Sequence, residues 1–304
     1  MNLHILFMGS SEYSLTILKN LTSKFPVELI TTQPDKPIGR GKKIEPALLK
    51  VFANELDIPV IQPAKINEEL FRNSIKTHSI DLIIVAAYGK LLPRWLLEYP
   101  KYGCLNVHAS LLPRWRGASP IQAAILNGDH QTGATIMQID EGIDTGPILS
   151  AQTVNIDPKD TGKTLSLKIA EAGSELLVDT LPDYLTGELQ PQPQNESEAS
   201  YAGLIRKEDG LLDFYHPAEI LEKKVRAFNP WPICYFDWNS NFLRIYKVEI
   251  SSEKKLDNFQ RGIYKNYPSI GTSTNDLIFL EIQPSGKNKI DGKAFLNGAR
   301  NWMN

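Results

Sequence analysis

Two polar side chains two positions apart, Asn106 and His108, offer the clearest chemistry in the sequence. The apolar stretch that contains them predicts a strand from Leu105 to His108. Side chains two positions apart on a strand point to the same face, and α/β proteins bind their ligands at the carboxyl ends of parallel strands. An amide donor would then lie beside an imidazole, although such a pair on its own is more often a structural hydrogen bond than a site.

An acidic turn follows between Asp140 and Pro147, where two glycines and a proline predict a tight connection between two strands. Asp is common in such turns because it tolerates their backbone angles, so Asp144 alone is weak evidence for a site. A carboxylate, an imidazole and an amide at one sheet edge are together suited to acyl transfer in which the substrate supplies the nucleophile. We therefore take Asn106, His108 and Asp144 as candidate catalytic residues.

Other common catalytic and binding motifs are missing from the sequence. The predicted first strand ends at Gly9, without the second and third glycines of a dinucleotide-binding turn. The segment from Gly39 to Lys43 fails as a phosphate-binding P-loop, because Lys36 stands where its first glycine belongs. The five histidines have no metal-ligand spacing and the two cysteines lie far apart, so we predict no metal site.

The elements that must position the candidate residues alternate between strands and helices. Apolar or β-branched runs predict the strands, and amphipathic spacing predicts the helices. The predicted strands are Leu3 to Met8, Val27 to Thr31, Val60-Ile61, Leu82 to Ala87, Leu105 to His108, Ala134 to Ile139 and Ile148 to Val154, and the predicted helices are Tyr13 to Leu21, Pro46 to Glu55, Glu68 to Lys76, Pro120 to Leu126 and Lys163 to Leu185. Strands this apolar, alternating with helices, are typical of a mainly parallel sheet covered on both faces. We therefore expect a Rossmann-like, doubly wound α/β domain.

A change of composition after the last of these helices predicts a second, smaller domain. The next residues are rich in Pro, Gln, Asn, Glu and Ser and contain almost nothing apolar, which is typical of a linker. A helix from Pro217 to Ala227 and several short strand-like runs then predict a small antiparallel sheet or barrel. We expect a first domain over residues 1–188, a linker over 189–204 and a β-barrel-like, OB-type domain over 205–304.

Charge and hydropathy limit the partners and the location. The chain of 304 residues has a formal net charge of -2, which argues against binding nucleic acid over the whole surface. The exception is the run from Lys36 to Lys50, where five basic residues accompany one acidic residue, a pattern that on charge alone is typical of a solvated loop. The longest apolar run is far shorter than the roughly 20 residues of a membrane-spanning helix. No basic segment of a secretory signal opens the sequence, so we expect a cytoplasmic protein.

Several segments together resemble the folate-dependent formyltransferase family over nearly the whole chain. The segment from Asn106 to Gly117, with Asn-x-His followed by Ser-Leu-Leu-Pro, and the segment from Thr135 to Gly146 are shared by the wider family. The glycine-flanked basic loop within Thr32 to Lys43 and the segment from Arg226 to Pro232 narrow the resemblance to the branch that acts on methionyl-tRNA. Val85 to Pro93 also matches.

The resemblance implies transfer of a formyl group from 10-formyltetrahydrofolate, as co-substrate, to the amino group of methionyl-initiator tRNA. It implies no metal, no membrane and no stable protein partner. Asn106 and a protonated His108 would stabilise the developing oxyanion. Asp144 would orient and charge His108 and assist proton transfer.

The same resemblance implies two binding surfaces. Arg40, Lys42 and Lys43 would contact the phosphates of the tRNA acceptor stem. The residues that would line the folate pocket are Ser110, Leu111, Leu112, Pro113, Lys90, Leu91, Leu92 and Asp140. The leucines beside Ser110 would fit plain core packing equally well. Trp231, between two prolines, is expected to be a buried ring in a rigid turn in preference to a platform for base stacking.

Three alternatives remain open from the residues. A sugar-nucleotide N-formyltransferase or a formyltetrahydrofolate hydrolase would use the same three candidate residues, and an RNA-binding protein with an inactive α/β domain would need none of them. Departures from the family pattern, such as Ser10-Ser11-Glu12-Tyr13, Ala109 and Ser119, remove no catalytic group. The basic loop and the second domain favour the tRNA substrate.

Overall fold

The computed structural model describes residues 3–38 and 43–303, which form two compact units. The first unit comprises the described residues up to 120 together with 131–155 and 166–202. The second comprises 121–130, 156–165 and the residues from 203 onward. Each unit therefore contains more than one stretch of the chain. The domain boundaries expected at residues 188 and 204 stay a prediction.

Among the described residues, nineteen elements precede the last third of the chain, and most follow the strand and helix patterns of the sequence. They are β1 (Ile5–Gly9), α1 (Glu12–Thr22), β2 (Val27–Thr31), β3 (Lys36–Ile38), β4 (Lys43–Glu45), α2 (Leu48–Glu55), β5 (Val60–Ile61), α3 (Glu69–Lys76), β6 (Leu82–Ala86), α4 (Arg94–Leu97), β7 (Cys104–His108), β8 (Arg116–Gly117), α5 (Pro120–Asn127), β9 (Gln131–Gln138), β10 (Ile148–Asn155), α6 (Gly162–Thr186), a 3₁₀ turn (Glu196–Glu198), β11 (Tyr201–Ala202) and a second 3₁₀ turn (Lys207–Gly210). The short elements β3, β4, α4, β8 and β11 are too brief to leave a periodic signal in the sequence.

Seven strands of the first unit form one sheet in the order β10-β9-β7-β6-β1-β2-β5. The pairs from β7 to β5 are parallel, whereas β9 is antiparallel to β7 and to β10. Every residue of β1 and β6 is buried, as expected for central strands covered on both faces. The expected mainly parallel α/β fold is confirmed. The carboxyl ends of β1, β2, β6 and β7 meet at one edge of this sheet.

The last third of the chain is antiparallel and rich in strands, as expected. Its elements are α7 (Ala218–Ala227), β12 (Cys234–Trp238), β13 (Asn241–Ile250), β14 (Arg261–Tyr264), β15 (Tyr267–Gly271), β16 (Asp276–Pro284), β17 (Ile290–Asp291) and α8 (Gly292–Gly298). The strand order is β12-β13-β16-β15-β14, with β17 also paired to β16. Aromatic rings fill its interior: Phe214 meets Phe236 edge to face at a centroid distance of 5.2 Å. The expectation of a buried Trp231 is wrong, because 53% of this residue is exposed.

Candidate active site

Asn106 and His108 occupy the carboxyl-terminal end of β7, between β6 and β9. Asn106 lies in register with Val85 of β6. Val107, between the two polar residues, is buried on the opposite face, and its carbonyl oxygen accepts a hydrogen bond from the Tyr13 hydroxyl at 3.2 Å. The period of two along the strand therefore places the amide and the imidazole on a common face.

Asp144 lies in the turn between β9 and β10 and brings a carboxylate to both side chains. Its Oδ1 accepts a hydrogen bond from Nδ2 of Asn106 at 3.3 Å. Its Oδ2 accepts one from the backbone N–H of Gly117 at 2.8 Å and lies 3.6 Å from Nδ1 of His108. The Asp144 side chain is 18% exposed, so most of this contact is shielded from water. The structure thus brings together the three residues that the sequence predicted as a group.

The imidazole of His108 lies between two acceptors. Nε2 is 3.1 Å from the carbonyl oxygen of Trp115, which can only accept a hydrogen bond, so Nε2 must carry a proton. Nδ1 faces the Asp144 carboxylate, which in its ionised form also only accepts. The ring is almost completely buried, and the Asp144 carboxylate is the acidic group that faces its Nδ1 side.

Two backbone groups complete the site, and neither could be recognised from residue types. The Trp115 carbonyl and the Gly117 N–H both belong to the loop and short strand that follow β7. Gly117 has a φ of +109°, and a Cβ at this position would lie 2.6 Å from the carbonyl oxygen of Ala202. A glycine is therefore needed here for the N–H to reach the carboxylate. Backbone groups carry no residue type, so only the fold reveals them.

The segment expected to be a linker is tied to the first unit, and we call residues 189–202 the strap. Gln192 exchanges two backbone hydrogen bonds of 2.8 Å with Ile148 of β10. Ser200 donates from its backbone N–H to the Pro113 carbonyl at 3.2 Å. At its end, β11 pairs in parallel with β8. The strap is polar because hydrogen bonds attach it to the first unit.

The residues from Ser110 to Leu112 fix the shape of the loop beside His108. The Ser110 hydroxyl donates to the Arg114 carbonyl at 2.6 Å, and the Ser110 carbonyl accepts from the Thr135 hydroxyl at 2.7 Å. The backbone N–H of Leu112 donates to the same Thr135 oxygen at 3.2 Å, and Leu112 is buried. Leu111 packs closely against β9, where a Cβ on Gly133 would lie 2.5 Å from its Cδ2. Their part in holding folate stays a prediction.

The second group of expected folate residues follows β6. The Lys90 ammonium donates to the carbonyls of Pro63 and Ala64 at 3.1 and 2.9 Å, so it secures a neighbouring loop. Leu91 is 73% exposed, whereas Leu92 packs against the hydrophobic core. Of these three residues, Leu91 presents an apolar side chain to solvent.

Asp140 opens the turn that carries Asp144. Its Oδ1 accepts hydrogen bonds from the Gly142 N–H at 3.0 Å and from the Thr145 hydroxyl at 2.7 Å, which closes the turn on itself. An ion pair of 3.7 Å between Arg94 and Glu141 joins this turn to α4. The turn and the residues after β6 are therefore neighbours.

The expected tRNA-binding residues fall mostly outside the described part of the chain. Arg40 and Lys42 lie in the segment 39–42, which the structure does not describe, and of Lys43 only the backbone, in β4, is described. The base of this segment is an antiparallel pair of β3 and β4.

Asp35 secures the base of that hairpin. Its carboxylate accepts hydrogen bonds from the Gln62 amide at 2.7 Å, the Lys50 ammonium at 2.6 Å and the Ala47 N–H at 3.1 Å. These donors, the Gln62 amide first, lower the pKa of Asp35 to about 2. These hydrogen bonds of Asp35 therefore anchor the chain just before β3 and just after β4.

Within residues 3–38 and 43–303, no three His, Cys, Asp or Glu side chains are grouped so that they could hold a metal ion. In the same ranges no helix combines the length and the apolar character that crossing a bilayer requires.

Known protein families and curated relatives match this sequence along nearly the whole chain. The family model described as formyl transferase matches residues 1–181, and that of the formyl transferase C-terminal domain matches residues 204–300. A methionyl-tRNA formyltransferase of Bacillus pumilus is 41% identical over 300 residues, covering 97% of this chain and 94% of its own. One of Pseudoalteromonas translucida is 38% identical over 306 residues, covering 99% of this chain and 95% of its own.

Solved structures share the fold. A methionyl-tRNA formyltransferase from Clostridium thermocellum superposes with a TM-score of 0.57 at 18% identity, over 83% of this chain and 95% of its own. An N-formyltransferase from Helicobacter canadensis, solved with folinic acid and dTDP-3-aminofucose, gives 0.68 at 19% identity, over 93% and 99% of the two chains. With the matched family models and the close relatives, the chain belongs to the formyl transferase family and is an enzyme of that family.

Proposed function

We propose that this enzyme transfers the formyl group of 10-formyltetrahydrofolate to the amino group of methionyl-initiator tRNA. The observation that carries the proposal is the shared carboxylate of Asp144, which contacts Asn106 and faces His108 at one sheet edge. The relatives at 38% and 41% identity bear the name of this activity. Because the acceptor is a charged tRNA, we place the reaction in the cytoplasm.

The residues of the enzyme stabilise the charge that develops on the formyl oxygen and move the proton of the attacking amine. When bound, the folate supplies an activated formyl carbon for attack by the amine of the aminoacyl group. Asn106 provides an N–H donor, and a protonated His108 provides a positive charge, for the negative charge that develops on the formyl oxygen. Asp144 would balance the charge of a protonated His108 and relay the proton from the attacking nitrogen to N10 of the folate, so that the bond between N10 and the formyl carbon breaks and tetrahydrofolate leaves. No nucleophile from the protein is required.

Two exposed apolar side chains suit contact with the flat, partly apolar folate that donates the formyl group. Leu91 and Ile143 expose 73% and 56% of their surface on two segments that the Arg94–Glu141 pair holds together. Exposed apolar side chains of this size favour contact with an aromatic ring. We assign the folate to this region, with Leu91, Asp140 and the loop after His108 as its walls.

The basic loop is the second binding surface that we propose. Arg40, Lys42 and Lys43 would neutralise phosphates of the acceptor stem, which is a local task suited to a chain with a net charge of only -2.

One experiment tests the proposed reaction. Purified enzyme is given 10-formyltetrahydrofolate carrying a labelled formyl group, and the label is followed into methionyl-initiator tRNA, into a dTDP-linked amino sugar and into free formate. We expect label in the tRNA alone, with turnover proportional to enzyme concentration. Label in the amino sugar would support a sugar-nucleotide formyltransferase instead, and label released as formate would support a hydrolase. The absence of label from all three products would contradict formyl transfer.

A further inference from the structure

Gln194, in the strap, bonds to two backbone carbonyls of the turn that carries Asp144. Its Nε2 donates to the carbonyl oxygen of Asp144 at 2.9 Å and to that of Gly146 at 2.7 Å. Its Oε1 accepts from Nε and Nη2 of Arg116 at 3.0 and 2.8 Å. The amide is therefore saturated, and its orientation is fixed because its oxygen faces donors and its nitrogen faces acceptors.

Arg116 in turn fixes Gln194. Its side chain has no exposed surface, and besides Gln194 it donates to both carboxylate oxygens of Glu196 at 2.8 and 2.7 Å and to the Tyr201 hydroxyl at 3.4 Å. These bonds use all five guanidinium N–H groups. The hydrogen bond to Glu196 raises the pKa of Arg116 and keeps it charged. A buried, planar and fully bonded group is a rigid support.

The turn needs such a support. Asp144 has a φ of +53°, a left-handed conformation that costs free energy in any residue with a Cβ. Its carboxylate must meet three groups at once, on Asn106, His108 and Gly117. A small rotation of the turn would break these contacts, and a misplacement of about 1 Å in a catalytic group can cost about a hundredfold in rate.

We propose that Gln194 and Arg116 are positioning residues for the formyl transfer: they hold the Asp144 turn in the conformation that presents the carboxylate to Asn106 and His108. Neither residue carries the reaction itself. The proposal rests on the proposed function only for its rate measurements, because the geometry can be followed without turnover.

Gln194→Glu separates the two contacts of the amide. One oxygen of the new carboxylate still accepts from Arg116, whereas the other meets the carbonyls of Asp144 and Gly146 without a proton to donate. We expect Gln194→Glu and Gln194→Ala each to lower kcat ten- to hundredfold. Gln192→Ala is the matched control, since within the described part of the chain the Gln192 side chain bonds to the Gln190 carbonyl of the strap, at 3.1 Å. Its rate should stay within twofold of the wild type.

A double-mutant cycle tests whether Gln194 acts through Asp144. In an Asp144→Asn background the turn no longer presents a carboxylate, so Gln194→Ala should cost at most a further twofold. Should Gln194→Ala lower kcat by the same factor in both backgrounds, or should Gln194→Glu work at the wild-type rate, the positioning role is overturned. Circular dichroism and thermal unfolding establish that each variant is folded.

A spectroscopic measurement keeps the inference independent of the proposed reaction. The ¹⁵N signals of the His108 ring, assigned by their loss in His108→Asn, report the carboxylate beside Nδ1. They should shift in Gln194→Ala and Gln194→Glu and stay unchanged in Gln192→Ala. If the wild type transfers no formyl group to methionyl-tRNA, the proposed function fails while these signals still decide the positioning role. Unchanged His108 signals in both Gln194 variants would overturn it.

Discussion

Replacing Asp144 by Asn should lower kcat by about 10- to 150-fold without unfolding the enzyme. The carboxylate meets donors at both oxygens: Gly117 and the His108 ring at Oδ2, and Asn106 at Oδ1. An Asn side chain has one oxygen, which can serve only one of these positions. If the oxygen stays with Gly117, the new NH2 group meets the NH2 group of Asn106, and one of the two amides must turn away.

The magnitude follows from the contact that is lost. A hydrogen bond to a charged group contributes about 1.5 to 3 kcal/mol. A change of about 1.36 kcal/mol in the barrier alters the rate tenfold, so one such contact corresponds to about 10- to 150-fold. The loss of the carboxylate charge that faces the His108 ring acts in the same direction. Binding of the folate should change much less, because the acceptor that is lost orients groups that act on charge that develops only during the reaction.

The assay is formyl transfer to methionyl-tRNA with both substrates saturating. Asp179→Asn is the matched control: it removes one carboxylate from an exposed position on α6, away from these contacts. Native circular dichroism of both variants excludes unfolding as the cause. A folded Asp144→Asn enzyme with kcat within twofold of the wild type would refute the reasoning, since no catalytic contact could then depend on the carboxylate.

Three further outcomes are expected. Asn106→Ala should lower kcat by about 10² to 10³, the loss typical of one oxyanion donor, and near-normal turnover of the folded variant would contradict that role. Replacing Arg40, Lys42 and Lys43 by Ala should weaken tRNA binding and reduce the slope of log K against log salt by about 0.7 to 0.9 per lost phosphate contact, with tetrahydrofolate binding unchanged; an unaltered slope would argue against phosphate contacts. Because the pKa of Asp35 is lowered from 3.8 to about 2, its stabilising effect is complete above pH 3.8 and is lost as the pH falls toward 2. Asp35→Asn should lack this part of the acid sensitivity in denaturant unfolding, and parallel stability curves of variant and wild type would show that the carboxylate does not contribute.

The strands that carry the site could be predicted from local pattern. A continuous apolar run is sufficient to indicate β6, because central strands are buried on both faces. The alternation along β7 then places Asn106 and His108 together without any knowledge of the rest of the chain. The role of Asp144 could be predicted only with the family resemblance, since an acidic residue in a tight turn is commonly there for its backbone conformation.

Contacts between distant segments could not be predicted in this way. The Gly117 N–H and the Trp115 carbonyl act through the backbone, and a sequence records nothing of their direction. Gln194 bonds to the Asp144 carbonyl across 50 residues, and Arg116 to Gln194 across 78. The aromatic ring of Trp231 was expected to be buried because of its apolar area, yet the fold leaves it half exposed.

The strap shows why polar composition was misleading. A segment without apolar residues is typical of a linker because it can bury no core surface. Arg116 changes this, since a fully buried guanidinium requires acceptors for its five N–H groups. The strap supplies them from Gln194, Glu196 and Tyr201, so its polar residues are what hold it in place. Once Gln194 is fixed in this way, its remaining donors meet the carbonyls of the Asp144 turn, and the polar segment becomes part of the support of the site.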